Sequence, residues 1–426
     1  MKYGYRCNSK QNGEDFFRDD RRNSRKEEIM KDFSRRDFIK MGLGGLSAIA
    51  IGSNIKIPGI FERSEAVAQT VAINLNITSA LVEMIDLNPV FHWVFADATG
   101  PKFPGPTIIA TEGNTITMNI TNSLDEPHAV VVSGTRIASG IINPGQTVPM
   151  SFPAPPAGTY FYYDPLNPPV NRVLGLHGAL IVLPVAGNTP YSAPTPSVQQ
   201  LFNDLGTTAH FPGNPWTPVR TFLWVFHQID PALNALAQPA GAAPINRNTF
   251  IRQFNPTYFT ITGKSGHFVV EDLTITPNGR VGQPGLVRII NTGMCTHSAH
   301  IHANHVYIVG ENGRIESNVH YVDTYTVRPM DRIDWLVPFI RPPDIPPVTQ
   351  LRGGSNPQRL IRLDAAEELA FATRTNNIQL SPMDYPMHCH TEMSQTAGGG
   401  NYNAGLLSHI IFTGDIDGVD FPVQTA

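Results

Sequence analysis

The sequence predicts an all-β protein with two sandwich domains, each made of two packed antiparallel sheets with Greek-key connections. Short runs rich in β-branched residues, such as 115–120 and 286–290, are bounded by Gly, Pro and Asn. The 36 glycines and 37 prolines among 426 residues follow no three-residue period, which favours many turns and argues against collagen. A chain of this length also exceeds the usual size of one domain.

An internal repeat is the second observation that predicts two sandwiches. At an offset of 169 residues, Asn122 aligns with Asn291 and His128 aligns with His297. Further on, Tyr160 aligns with Tyr385. The predicted organisation is a first sandwich domain at 69–185, a Pro-rich linker at 186–218, a second sandwich domain at 219–415 and a tail at 416–426. One helix is expected outside the strands, at 363–373.

Positive charge is concentrated at the N-terminus, where residues 1–68 hold 14 Lys and Arg against 10 Asp and Glu. In this segment, Ser34-Arg35-Arg36-Asp37-Phe38 precedes a mildly apolar stretch at 41–52, and the small-residue site Ala66-Val67-Ala68 follows. This order is typical of a twin-arginine export signal, with a basic amphipathic helix as the alternative interpretation. We therefore expect a signal peptide with a polar N-terminal extension over 1–68, and a periplasmic or otherwise exported protein.

Composition excludes several classes of function. The residues beyond 68 hold 17 basic and 25 acidic side chains, a net charge of −8, which gives no reason to expect nucleic acid as a partner. The apolar stretch at 41–52 is shorter than the ~20 residues of a membrane-spanning helix, and no later stretch qualifies, so no transmembrane segment is expected. Three cysteines are too few for a disulfide scaffold.

Histidine and cysteine form two clusters in the second repeat. Their members are His297, His300, His302, His388, Cys389 and His390. Alternate residues of a strand face the same side, so His388 and His390 share one face while Cys389 points to the other. Imidazole and thiolate are ligands for copper or zinc. The spacing therefore predicts two metal environments on neighbouring strands.

These motifs resemble the C-terminal copper motifs of the multicopper oxidases, the laccase-like family. The segments that carry the resemblance cover most of the chain beyond the signal and are 103–108, 143–145, 158–160, 177–182 and 258–265. The resemblance implies cupredoxin-like sandwiches that bind copper. It also implies transfer of single electrons from a substrate, through a mononuclear blue copper, to a three-copper cluster that reduces dioxygen.

The resemblance assigns a role to each ligand of the second repeat. His297 matches a blue-copper histidine and Cys389 matches its thiolate ligand. His300 matches a type 2 position, and the type 3 positions are matched by His302, His388 and His390. The His-Cys-His motif also implies a covalent route for the electron between the two copper sites.

Several expected ligands are missing. Val131-Val132-Ser133 and Tyr163-Asp164-Pro165 occupy the positions of the two first-domain histidine motifs, so the three-copper cluster is incomplete. Ser394 stands where the second blue-copper histidine is expected. The residues that could replace it are Met393, Gln395 and His409. Two further candidates, His128 and His177, lie near the lost first-domain sites.

Cys295 leaves one alternative open. In an exported protein it could pair with Cys389 in a disulfide, which would remove the thiolate from the metal site. Cys7 belongs to the segment before the signal, so these are the two cysteines that remain in the exported protein.

Three functions remain open on this sequence. The first is a copper oxidoreductase that takes electrons from a small molecule or a metal ion, or from a redox protein. The second is a copper carrier or electron-transfer protein without turnover. The third is a structural descendant of the oxidases that acts through protein contacts. A homo-oligomer is left open in each case.

Overall fold

The computed structural model describes residues 70–238, 244–341, 384–418 and 420. The predicted signal peptide and the predicted helix at 363–373 lie outside these residues. Strands dominate the described part, and the predicted all-β class with two-sheet sandwiches is confirmed. No helix within these ranges is long and apolar enough to cross a membrane.

The first sandwich consists of two sheets that face each other. Its strands are β1 (Thr70–Glu83), β2 (Pro89–Asp97), β3 (Gly100–Lys102), β4 (Gly105–Thr111), β5 (Thr115–Asn122), β6 (Val131–Val132), β7 (Thr147–Pro153), β8 (Gly158–Tyr163) and β9 (His177–Leu183). One sheet has the order β3-β2-β1-β5-β7 and the other β4-β9-β8-β6. A short helix, α1 (Val170–Val173), precedes β9.

The second sandwich repeats this design with longer sheets. Its strands are β10 (Thr221–Ile229), β11 (Tyr258–Ile261), β12 (Asn278–Arg280), β13 (Gly285–Asn291), β14 (His297–Ile301), β15 (Val306–Glu311), β16 (Arg314–Val322), β17 (Thr324–Val327), β18 (Arg332–Val337), β19 (Asp384–Cys389), β20 (Thr396–Ala397), β21 (Asn401–Tyr402) and β22 (Leu407–Gly414). The two main sheets have the orders β11-β10-β13-β18-β15-β16 and β12-β22-β19-β14-β17, and β20 pairs with β21.

Helices occupy the connections. Those that follow α1 are α2 (Pro196–Asp204), α3 (Pro231–Asn234), α4 (Arg247–Gln253) and α5 (His267–Val270), and 3₁₀ turns lie at Ala235–Ala237 and Glu392–Gln395. The Pro-rich stretch predicted as a linker contains α2, which begins at the capping side chain of Thr195. Val198 and Phe202 of α2 pack on Leu336 of the second sandwich, so the stretch is anchored to that sandwich.

Alternating burial along a strand explains why the two sheets of the first sandwich pack face to face. In β5, Ile116, Met118 and Ile120 are buried while Thr115 and Asn119 are exposed. This period of two places one face of the strand in the core of the first sandwich. Burial of each such side chain contributes about 1.5–3 kcal/mol.

The repeat predicted from the sequence is visible in the strand pairing. β1 runs parallel to β5 and places Ile77 opposite Asn122, and β10 runs parallel to β13 and places Phe226 opposite Asn291. Each asparagine amide then donates to two backbone carbonyls. The acceptors are Glu126 and Ile142 in the first sandwich, and Cys295 and Val327 in the second. The two amides therefore hold equivalent loops in place.

The strands between the sandwiches are covered on both faces. Phe161 and Ile181 of the first sandwich pack against Leu223, Val225 and Ile290 of the second. Because of this double cover, every residue of β10 and β13 is buried. The apolar contact runs between β8 and β9 on one side and β10 and β13 on the other.

A buried polar network crosses the same interface. The carboxylate of Asp334 accepts hydrogen bonds from the hydroxyls of Thr159 at 2.5 Å and Tyr191 at 2.6 Å. The guanidinium of Arg288, which is fully buried, lies 3.4 Å from the same carboxylate and donates to Thr159. A buried ion pair is costly to break, because the partner left behind is an unpaired charge in the interior.

We expect Asp334→Asn to lower the free energy of unfolding by about 3–5 kcal/mol, because it leaves the charge of Arg288 unpaired. Asp420→Asn is the matched control: it removes the mostly exposed carboxylate that pairs with Arg280, and such a pair contributes about 0–1 kcal/mol. Urea denaturation of both variants tests this expectation. Equal losses in the two variants would contradict it.

Candidate metal centre

The antiparallel pairing of β14 with β19 brings the two predicted histidine clusters together. The register places His300 opposite His388 and Ala299 opposite Cys389. Successive side chains point to opposite faces, so the histidines lie on one face and Cys389 lies on the other. Cys389 is fully buried in the core of the second sandwich, whereas His390 is exposed. The period-two alternation predicted from the sequence is therefore what the fold uses.

Four imidazole rings gather at the outer face of this strand pair. The ring centroid of His300 lies 4.8 Å from that of His302, 5.3 Å from that of His388 and 4.6 Å from that of His390. His302 and His390 are exposed, and the other two are partly buried. One ligand atom from each of His300, His302 and His388 falls within a common 4.8 Å. We call these four residues the histidine cluster.

Hydrogen bonds prepare the histidine cluster for a metal ion. The Nδ1 of His300 donates to the backbone carbonyl of Asp323 at 3.0 Å and lies 2.8 Å from the hydroxyl of Thr324, so its Nε2 is the free lone pair. The Nε2 atoms of His302 and His388 are 3.2 Å apart. Two nitrogens bound to one metal at about 2.0–2.1 Å in tetrahedral geometry lie about 3.3 Å apart. This pair therefore fits a shared ion.

The electrostatics favour neutral rings at two members of the histidine cluster. Burial lowers the pKa of His302 and of His388, and the neighbouring histidines lower both further. A neutral imidazole offers a lone pair, whereas a protonated one repels a cation. His302 and His388 are thus held in their metal-binding form around neutral pH.

A second pair of donors lies on the core side of the same strands. The Sγ of Cys389 is 3.4 Å from the Nδ1 of His297, and it accepts hydrogen bonds from the backbone N–H groups of Ser298 at 3.3 Å and Thr391 at 3.4 Å. Metal bonds of about 2.0 Å to nitrogen and 2.3 Å to sulfur, at a tetrahedral angle, separate the donors by about 3.5 Å. These two residues, which we call the thiol site, fit one metal ion.

Each side chain that could supply a third ligand to the thiol site either bonds to another group or is exposed to solvent. Ser394 is buried and donates its hydroxyl to the carbonyl of Thr391, while about half of Met393 is exposed at 49%. The amide of Gln395 donates to the carbonyl of Cys389, and the Nδ1 of His409 lies 2.6 Å from a carboxylate oxygen of Asp384. The structure therefore does not place a second histidine at the thiol site among the residues it describes.

Cys295 and Cys389 are both free thiols. The structure thus does not form the disulfide that the sequence left open. Burial, followed by the proximity of Cys389, raises the pKa of Cys295. Cys389 remains free to serve as a metal ligand.

In the first sandwich a hydrogen-bonded pair replaces the thiol site. The alignment of Tyr160 with Tyr385 places Asp164 at the position of Cys389, and His128 is at the position of His297. The Nδ1 of His128 is only 2.5 Å from the Oδ2 of Asp164, which leaves no space for an ion between them, since metal-bound nitrogen and oxygen lie about 3.4 Å apart. Both side chains are fully buried. The structure therefore gives His128 a carboxylate partner where the sequence left a metal open.

His177 lies in a separate group of buried histidines. Its ring packs against His227 with centroids 4.4 Å apart and against Phe103 at 5.7 Å, and its Nδ1 donates to the carbonyl of Arg172 at 3.0 Å. His92 contacts the other side of this group through Phe103 at 4.4 Å. The ring of His177 thus belongs to the interior of the molecule, and the described contacts do not join it to the histidine cluster.

Sequence inspection missed three buried polar residues. His92 and His227 lack metal-like spacing in the sequence. They are core residues, and they pack near His177. Gln228 contacts His297 directly, with its Nε2 2.5 Å from the Nε2 of the ring. The one available signal was a pair of polar residues, His227 and Gln228, at the end of an apolar strand that is buried on both faces.

The buried histidines make stability depend on pH. Burial lowers the pKa of His92 to about 4 and that of His177 to about 3, and it places the pKa of His227 well below its ordinary value of 6.5. The unfolded chain therefore binds more protons below about pH 6.5. The stability that these buried histidines contribute is fully present above that pH and is lost as the pH falls towards 3.

We expect His177→Gln to reduce the loss of unfolding free energy between about pH 7 and about pH 5 by roughly 2 kcal/mol, because glutamine does not titrate. His320→Gln, at an exposed position, is the control for replacing a histidine outside the buried group. Denaturation at several pH values measures both. An unchanged slope in the His177 variant would show that its ring is not held neutral by the fold.

Comparisons with known proteins agree with this architecture. A family model described as multicopper oxidase matches residues 98–186, within the first sandwich. The L-ascorbate oxidase of Cucumis sativus is 38% identical over 101 residues, which cover 21% of this chain and 17% of that protein. The multicopper oxidase MCE of Talaromyces pinophilus is 32% identical over 95 residues, which cover 20% of this chain and 15% of that protein. The chain thus covers about a sixth of the length of these relatives.

Solved structures extend the likeness of fold to both sandwiches. The blue copper oxidase from Nitrosomonas europaea has a TM-score of 0.56 at 19% identity and covers 81% of this chain and 86% of its own. The multicopper oxidase mgLAC has a TM-score of 0.53 at 19% identity, with 84% and 88% covered. The first sandwich is thus similar in sequence to multicopper oxidases, and both sandwiches share their fold.

Proposed function

We propose that this chain is an exported copper-dependent oxidoreductase that oxidises a small molecule or a metal ion with an incomplete copper cluster. The observation that carries the proposal is the placement of two donor sets on opposite faces of one strand pair. Cys389 belongs to the thiol site, and His388 and His390, its covalent neighbours, belong to the histidine cluster. Each set has distances that fit a metal ion.

The residues of each set have distinct tasks in this proposal. Copper bound in these sites would supply one-electron redox chemistry. The two backbone N–H groups at the Sγ of Cys389 hold the sulfur in position, and His297 presents Nδ1 to the same point. The carbonyl of Asp323 orients His300, so that its Nε2 faces the rest of the histidine cluster.

A reaction of one or two electrons is more consistent with this chain than the reduction of dioxygen by four. In the first sandwich, Val131 and Pro165 offer no ligand atoms, and Asp164 is occupied by His128 and by the amide of Asn171 at 2.9 Å. The chain itself therefore supplies ligands from one sandwich. His302 and His390 are exposed, which gives small molecules and ions access to the histidine cluster.

The proposed location is outside the cytoplasm. Support comes from the order of Arg35-Arg36, the mildly apolar stretch at 41–52 and the small-residue site at 66–68. A twin-arginine route would carry the protein already folded.

A copper carrier without turnover is the second candidate, and one observation favours it. The thiol site has two donors, His297 and Cys389, and Ser394 at the expected third position uses its hydroxyl to bond Thr391. Such a site can hold a soft ion without completing the ligand set of a blue copper.

Copper loading of the folded protein tests the proposal. We expect more than one copper ion per chain and an intense visible charge-transfer band that Cys389→Ser abolishes. Cys295→Ser is the matched control, because it removes the other free thiol of the described residues and should leave the band intact. Metal analysis and visible and paramagnetic-resonance spectra give the readout. A protein that takes up no copper would exclude both the oxidoreductase and the carrier.

Electron donors then separate the oxidoreductase from the carrier. Phenols, ferrous, manganous and cuprous ions form the panel, together with ascorbate, the donor in the names of several relatives. We expect at least one donor to be oxidised catalytically, and the double variant His300→Ala/His388→Ala to lose at least tenfold of that rate. Copper uptake with no oxidation of any donor would favour the carrier.

A further inference from the structure

Gln228 makes a complete set of hydrogen bonds beside the thiol site. It lies on β10 and is fully buried. Its Oε1 accepts from the backbone N–H groups of Met294 at 2.7 Å and Cys295 at 2.9 Å. Its Nε2 faces the Oδ1 of Asn291 at 3.4 Å and the Nε2 of His297 at 2.5 Å. Two acceptor positions and two donor hydrogens are thus all used.

The two backbone N–H groups fix the direction of this amide. A backbone N–H can only donate, so the oxygen of Gln228 must face Met294 and Cys295. The NH₂ group therefore faces His297 and donates to its Nε2. A neutral imidazole that accepts at Nε2 carries its proton on Nδ1, and Nδ1 is the atom that faces the sulfur of Cys389.

We propose that Gln228 is a positioning residue that holds His297 in the Nδ1–H form and thereby weakens metal binding at the thiol site. A metal ion that binds Nδ1 requires the single proton of the ring to be on Nε2. The Nε2–H group would then need an acceptor, and the amide of Gln228 could supply one only by turning its oxygen away from Met294 and Cys295. The effect on copper affinity rests on the proposed copper function. The position of the proton on the ring of His297 does not, since it is a property of the metal-free protein.

His128 supplies an internal reference for the same atom. Its Nδ1 lies 2.5 Å from the carboxylate of Asp164, which accepts only, so this ring is also protonated at Nδ1. Its Nε2 is buried and has no hydrogen-bond partner among the described residues. A carboxylate therefore holds the proton on Nδ1 in the first sandwich, whereas an amide at Nε2 does so in the second.

Nitrogen-15 NMR of the histidines in metal-free full-length protein tests the assignment. We expect both His297 and His128 to be protonated at Nδ1 in the wild type. In Gln228→Glu, a carboxylate accepts from Met294, Cys295 and the ring, so the proton of His297 should move to Nε2 while His128 stays unchanged. Gln395→Glu is the matched control: it places the same change at another buried glutamine, one that bonds the carbonyl of Cys389, and should leave His297 protonated at Nδ1.

Cupric ion titrated into the same proteins tests the consequence, with the thiolate charge-transfer band as readout. We expect Gln228→Glu to bind cupric ion about 10–100-fold more tightly at the thiol site than the wild type, the range by which partners of metal-bound histidines change affinity. Wild-type His297 protonated at Nε2 overturns the proposal, and this measurement needs no variant to fold. An unmoved proton in Gln228→Glu overturns it as well. A proton that moves in a protein that binds no copper supports the assignment of Gln228 and refutes the proposed copper function.

Discussion

The register between β14 and β19 is the constraint on which the rest of the site depends. Ile301 pairs with Met387 and Ala299 pairs with Cys389, and all four side chains are buried in one core. A slip of one residue would turn Met387 and Cys389 to the surface and the histidines inward. The burial of these apolar side chains thus fixes which face carries imidazole and which carries sulfur. Two donor sets of different chemistry follow from one pairing.

The same framework carries different chemistry in the two sandwiches. Asn122 and Asn291 hold equivalent loops, and each loop delivers a histidine whose Nδ1 faces the strand that follows. Asp164 meets that nitrogen at 2.5 Å, too close for an ion between them, whereas Cys389 meets it at 3.4 Å, a distance that suits either an N–H to sulfur contact or a shared metal ion. A carboxylate and an imidazole satisfy each other when buried, so the first sandwich needs no ion to fill this position. The first sandwich can therefore resemble multicopper oxidases in sequence although it lacks their metal ligands.

The sequence pattern predicts the features that depend on local periodicity. It does not predict contacts that depend on the packing of residues far apart in the chain. The alternation of His388, Cys389 and His390 predicts the two faces because a strand has a period of two. The pairing of His128 with Asp164 and the contact of Gln228 with His297 join residues 36 and 69 positions apart. Single polar residues at such separations carry no spacing signal, since tertiary packing alone decides their partners. Helix α2 was missed because proline content predicted a linker, although Thr195 and Pro196 form a typical helix start.

The two faces of the strand pair differ in their access to solvent. On the core side, Cys389 and His297 are fully buried, and burial lowers the pKa of His297 to about 4, so its ring is uncharged around neutral pH. On the outer side, His302 and His390 are exposed and reach solutes directly. A peptide bond joins Cys389 to each neighbouring histidine, so the protected and the accessible side are covalently adjacent. The fold therefore permits exchange with solvent on one face without exposing the sulfur on the other.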